Sequence, residues 1–286
     1  MKAKHILFIT LLLLAAIPPN THAQIPGLPN PSATQTIDQE IGLGHAIVTY
    51  SRPNVKGRVI YGGLVPYGIV WRTGANTATE ITFSEDVKLE GHNLPAGTYS
   101  LFTIPGKDQW TIIINRAVKE WGAYRYNAEN DQLRFTVKPT AIHDKQETFT
   151  IQFANATSSS ADLQIIWDHT TVTARITVDD DAKITATIEA LMNAEHNTNL
   201  AYFNAIQYYY TNNKDADKAL AWIKKAKADV PTNPAYHLFE SRFLLRKGNK
   251  AAAITAAEAG LKLATERNFD EYIKLLTEAL TTAKNK

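Results

Sequence analysis

Four cations crowd one glycine-rich stretch of this chain. Between Ser51 and Asn76 stand Arg52, Lys56, Arg58 and Arg72, with Tyr61, Tyr67 and Trp71 among them. A guanidinium offers its donors in a planar fork that matches a carboxylate or a phosphate. Glycines at 57, 62, 63, 68 and 74 allow tight turns and a close approach of backbone to ligand. Gly57 and Gly62 have the spacing of a phosphate-binding loop. Gly63 stands where that loop needs lysine, so a nucleotide site of that kind is excluded. The plainer reading of the stretch is a kinked connection with solvated cations. Four tryptophans, Trp71, Trp110, Trp121 and Trp167, fall within residues 37–180. An exposed indole can stack on a sugar face, whereas a buried one is core. Trp167 alternates with Leu163 and Ile165, and Trp110 adjoins the apolar run to Ile114, so both read as core. Trp121, in the loop-like Trp121-Gly-Ala-Tyr124, is the candidate for exposure. The expected ligand site is therefore Arg52, Lys56, Arg58, Trp71, Arg72 and Asn76, together with Trp121 and Tyr124.

Catalytic groupings are sparse. The chain has no cysteine, which excludes thiol nucleophiles, disulfide scaffolds, zinc ribbons and iron–sulfur centres. His45, His92, His143 and His169 are not spaced as metal pairs, and neither a zincin His-Glu-x-x-His nor a Gly-x-Ser-x-Gly elbow occurs. No metal and no cofactor is expected. Glu80, Glu85, Asp86 and Glu90 lie on or beside neighbouring strands, where two could face each other as acid and base. That leaves an unrecognised hydrolase as an alternative.

The N-terminus reads as an address. Lys2 and Lys4 precede an apolar run from Ile6 to Ile17, then Pro18-Pro19 and the small-residue pattern ending at Ala23. This is the pattern of a secretory signal peptide over 1–23, and its apolar run is too short to span a bilayer, which needs about 20 apolar residues. No later segment is long enough to cross a membrane as a helix. The expected mature protein is exported, periplasmic or secreted. The formal charge of +2 comes from 30 basic and 28 acidic residues, and Lys2 and Lys4 account for the difference. Nucleic acid is thus not an expected partner.

Residues 24–36, with several prolines, read as an extended leader. From 37 to 180 the apolar pattern has period two. Leu133, Phe135 and Val137 share a face, as do Phe149, Ile151 and Phe153, and then Val172, Ala174, Ile176 and Val178. Further strands are expected over 45–51, 69–72, 79–84, 98–104, 109–115 and 162–168, with Asp168-His169 as a turn. Short strands separated by turn signals imply an antiparallel β-sandwich. Asp179-Asp-Asp181 then opens a helical region over 181–286, where Ile184, Ile188, Leu191 and Met192 follow at helical spacing.

Three motifs carry a family resemblance. They are Ser51 to Asn76, continuing through Ala78-Thr-Glu-Ile-Thr-Phe-Ser84; Leu94-Pro-Ala-Gly-Thr-Tyr-Ser-Leu-Phe-Thr-Ile-Pro-Gly106; and Trp110-Thr-Ile-Ile-Ile-Asn115 with Trp121-Gly-Ala-Tyr124. The chain resembles the domain of unknown function 2911, a family of exported bacterial proteins, over most of 30–180. The resemblance implies an exported β-rich domain and no known reaction. The tail resembles the tetratricopeptide repeat: at a 34-residue offset, Tyr202 falls on Tyr236, Ala219 on Ala253 and Ala226 on Gly260. The early Trp and Gly of that repeat are missing. A peptide groove there would present Asn204, Tyr208, Arg242, Leu245 and Arg246.

The leading expectation is non-catalytic binding of a small anionic or sugar-like ligand by the β-sandwich. A protein-interaction scaffold acting through the helical repeats is the second reading.

Overall fold

The computed structural model describes residues 28–285. The expected signal peptide over 1–23, and residues 24–27, lie outside them. The chain forms two compact units that meet in sequence at Val178 and Asp179.

The first unit is two antiparallel sheets. The larger joins β1 (Ala33–Ile41), β2 (Gly44–Arg52), β3 (Thr79–Phe83), β6 (Gly97–Ile104), β7 (Trp110–Asn115) and β8 (Asp131–Val137), in that spatial order. The smaller runs β5 (His92–Leu94), β4 (Val87–Leu89), β10 (Ser160–Thr177) and β9 (Thr140–Thr157). Inward residues of both sheets, among them Val48, Ile81, Ile112, Leu163 and Val172, belong to one apolar cluster. Period-two alternation thus buries one face of each sheet, as the sequence predicts. The Tyr50 hydroxyl bonds across to β9, donating to the Ile151 carbonyl at 2.9 Å and accepting from its N–H at 2.9 Å.

The structure departs from the sequence reading in three places. Strand β1 begins at Ala33 and pairs along β2 from Ala33↔Arg52 to Ile41↔Gly44, so the leader gives way to sheet earlier than expected. The expected strands 162–168 and 171–178 are one strand, β10. Its inward set changes from Ala161, Leu163, Ile165 and Trp167 to Val172, Ala174 and Ile176. Asp168, at φ 53°, marks register shifts that reverse the parity, so a bulge stands where a turn was expected. Finally, 69–72 makes a single bridge, Trp71↔Thr103, rather than a strand. Positive φ at Gly68, Thr73 and Gly74 turns the backbone out of extended geometry on both sides.

The second unit holds α1 (Asp181–Met192), α2 (Asn199–Thr211), α3 (Ala216–Asp229), α4 (Pro234–Arg246), α5 (Lys250–Glu266) and α6 (Asp270–Asn285). Side-chain caps start four of them: Thr198, Asp215, Asn233 (before Pro234) and Asn249 each accept a first-turn N–H. Helix α2 packs on α3 and α4, and α4 packs on α5 and α6. Tyr202 and Tyr236 are fully buried and meet edge to face at 6.5 Å, and the Tyr236 hydroxyl donates to Asn199 Oδ1 at 2.6 Å.

Candidate functional site

The connection from β2 to β3 is built on fixed points. Ile60 and Val65 are buried anchors, and Val65 N–H closes a turn onto the Ile60 carbonyl at 2.9 Å. Trp71 exchanges two backbone hydrogen bonds with Thr103, at 2.7 and 2.9 Å. Its indole N–H donates to the Gly74 carbonyl at 3.1 Å. Thr73, fully buried, sits at φ 54°, a region that a β-branched residue enters at a cost of about 1–3 kcal/mol. Its neighbours hold it there. The Thr73 hydroxyl donates to Thr103 Oγ1 at 3.0 Å, and its carbonyl accepts from the Thr79 hydroxyl at 2.6 Å. Asn76, at φ 58°, donates its amide to Asn30 Oδ1, the Ser32 carbonyl and Ser51 Oγ, and its carbonyl accepts from Gly122 N–H.

This fixed loop borders a cavity of about 380 Å³. Lys56, Arg58, Arg72 and Asn76 line it together with the indoles of Trp71 and Trp167. Beneath lies an aromatic cluster. Trp71 stacks on Trp167 at 5.9 Å, and Phe149 meets both edge to face, at 5.3 and 5.6 Å. Tyr61 and Trp110, at 4.9 Å from each other, belong to the same cluster and border a second cavity of about 240 Å³ with Tyr67 and Lys107.

Charge in the larger cavity is one-sided. Among the described residues, none of the three cations forms an ion pair with a carboxylate. The Arg58 guanidinium donates to the carbonyls of Val55, at 3.0 Å, and Asn54. Arg72 Nε is buried with no hydrogen-bond acceptor. Burial holds the Arg72 guanidinium below its usual pKa, while the Tyr124 phenol opposes this through space. A guanidinium nevertheless remains charged at neutral pH. One acid stands near. Glu147 Oε1 accepts the Lys56 N–H at 2.8 Å, Lys145 lies 3.4 Å from its other oxygen, and these with Arg58 hold its carboxyl below the usual range. It leaves the Lys56 ammonium and the Arg72 guanidinium unpaired.

The family model described as "Protein of unknown function (DUF2911)" matches residues 32–176. The chain belongs to this family. The DUF2911 region takes in both sheets and every cation of the cavity. No curated protein matches the chain. The solution structure of protein BPP2914 from Bordetella parapertussis is similar at 25% identity, covering 36% of this chain and 88% of that one, with a TM-score of 0.32.

Within the DUF2911 unit, five of the eight expected residues converge: Lys56, Arg58, Trp71, Arg72 and Asn76. Arg52 does not line the cavity. Its guanidinium donates to the Phe149 carbonyl at 3.1 Å and to Thr150 Oγ1 at 3.0 Å, tying β2 to β9. Trp121 is exposed, at 65%, as the sequence suggests, but it and Tyr124 lie outside the lining. They adjoin it through the Thr77↔Trp121 bridge and the Asn76–Gly122 bond. The sequence reading did not single out Asn54, and it missed Pro31 and Ser32, which precede β1 and reach the cavity where β1 folds back along β2. It also placed Trp167 as core alone, whereas this residue, 1% exposed, lines the cavity as well.

Other candidates are engaged elsewhere. Glu80, Asp86 and Glu90 each accept a backbone N–H, from Lys119, Ala96 and Arg175 respectively. Among the described residues, no three His, Asp or Glu side chains are grouped to hold a metal ion, and no helix is long and apolar enough to cross a membrane. In the helical unit, the Tyr208 hydroxyl donates to Asp181 at 2.8 Å. Arg242 and Arg246 lie over the Tyr210 ring at 5.4 and 4.6 Å, and Arg246 also donates to the Tyr210 carbonyl. Asn204 is exposed and Leu245 half-buried on the same helix pair.

Proposed function

We propose that this is an exported, non-catalytic binding protein that takes a small anionic ligand into the Arg72 cavity. One observation carries the reading: among the described residues, three cations and no acid line one concave site. Arg72 is half-buried, and such a charge without a counter-charge is costly until an anion relieves it, while the exposed Lys56 and Arg58 add attraction. The fixed loop around Thr73 and Asn76 supports the reading, because preorganised donors lose little freedom on binding. A neutral sugar suits the site less well. The exposed indole, Trp121, is outside the lining, and one face of Trp71 is occupied by Trp167.

The test is thermal stabilisation of the purified chain by carboxylates, phosphates and neutral sugars. Anions raise the melting temperature, and Arg72→Gln abolishes the shift. Stabilisation by sugars alone contradicts the reading.

A further inference from the structure

The cavity is not lined by charge alone. Leu64, 48% exposed, stands at its wall beside the buried Val65, and Pro31, Pro53 and the Trp71 indole add further apolar surface. Outside the lining, Leu64 N–H bonds the Val59 carbonyl at 2.9 Å, and Val59 is 73% exposed. Gly63 permits this approach, since a Cβ there would lie 2.5 Å from the Val59 carbonyl oxygen. A bare oxoanion would use none of this surface. It would also leave most of the space unfilled, because about 380 Å³ holds roughly a dozen waters at about 30 Å³ each. Ligand sites of this size match organic molecules, with a few polar groups fixing the orientation of an apolar body.

Resting on the anion-binding reading, we infer that the ligand is an amphiphilic organic anion: a carboxylate or phosphate monoester on a compact apolar body. The head group meets Arg72, Lys56 and Arg58, and the apolar body lies against Leu64, Val65 and Trp71. Burying that body adds affinity in proportion to the area removed from water.

Isothermal titration of the full chain tests this with matched probes: phenyl phosphate against inorganic phosphate, hexanoate against acetate, and benzyl alcohol as the uncharged control. The amphiphile of each pair binds at least about tenfold more tightly than its bare head group. Leu64→Ser narrows that ratio severalfold. Equal affinity within both pairs overturns the inference but leaves the anion site standing, as does a ratio that Leu64→Ser does not alter. Failure of every charged probe overturns the anion site itself, and benzyl alcohol binding as tightly as phenyl phosphate overturns both. The paired-ligand comparison on the unaltered chain decides the matter even where the Leu64 variant folds poorly.

Discussion

The indoles of Trp71 and Trp167 lie almost parallel, 13° apart in plane with centroids separated by 5.9 Å, and both border the cavity that Arg72 lines. One indole belongs to the β2–β3 connection and the other to strand β10, so the stack joins the site to the core of the unit. The Trp71 N–H bond to Gly74 then passes that rigidity to the turn carrying Thr73 and Asn76. Trp71→Ala removes a large buried ring and is expected to cost about 3–5 kcal/mol of stability. Denaturant unfolding of the variant measures it, and a loss below about 1 kcal/mol contradicts the role given to this ring.

Asn76 ties the segment before β1 to the cavity loop. Its amide reaches Asn30, Ser32 and Ser51, and its positive φ is one that asparagine tolerates better than most residues. Asn76→Ala is expected to cost about 1–3 kcal/mol and to free the segment at Asn30–Ser32. Amide exchange read over residues 30–36 should quicken in the variant. Unchanged protection there would show that β1 pairing alone holds the segment.

The β class, most strands and the helical boundary were legible because they rest on local periodicity. Leu133, Phe135 and Val137 alternate in sequence and in space. The parity change at Asp168 was visible too, but a bulge and a turn leave the same mark in one dimension. The cavity was half legible. Lys56, Arg58 and Arg72 are close in sequence and drew attention as cations. Arg52 looked equivalent and is not, because its place on β2 aims it at β9. Pro31 and Ser32 carry no such signal, and long-range contacts, the pairing of β1 with β2 and the Asn76 amide, bring them to the site.

Gly260 marks a close crossing of helices in the second unit. A Cβ at this position would lie 2.6 Å from His237 Cβ and 2.8 Å from Leu276 Cδ2. Gly260→Ala should therefore destabilise the helical unit by about 1–3 kcal/mol through overpacking, despite the better helix propensity of alanine. A rise in the melting temperature of that unit would contradict the packing described.

His237 gives the same unit a pH dependence. Its Nδ1 is buried without a hydrogen-bond partner, and burial together with the Lys227 charge holds its pKa below 6.5. Glu240, 3.9 Å away, opposes this but is itself paired with Lys227 at 2.6 Å. The folded state thus prefers neutral imidazole. The contribution is fully present above the unfolded value of 6.5 and is lost as pH falls from there through the lower folded pKa. Urea unfolding at pH 7.5 and 5.0 should show the helical unit weaker at the lower pH, and His237→Gln should reduce that difference. An unchanged difference in the variant assigns the effect to other groups.

The anion site is tested most directly by titrating phenyl phosphate into the unaltered chain, Arg72→Gln and Arg52→Ala. Both arginines lie in the cation-rich stretch, but only Arg72 lines the cavity. The expected result is a loss of about tenfold or more in affinity for Arg72→Gln and no loss for Arg52→Ala. Equal affinity in the unaltered chain and Arg72→Gln, or a greater loss from Arg52→Ala, would contradict the account.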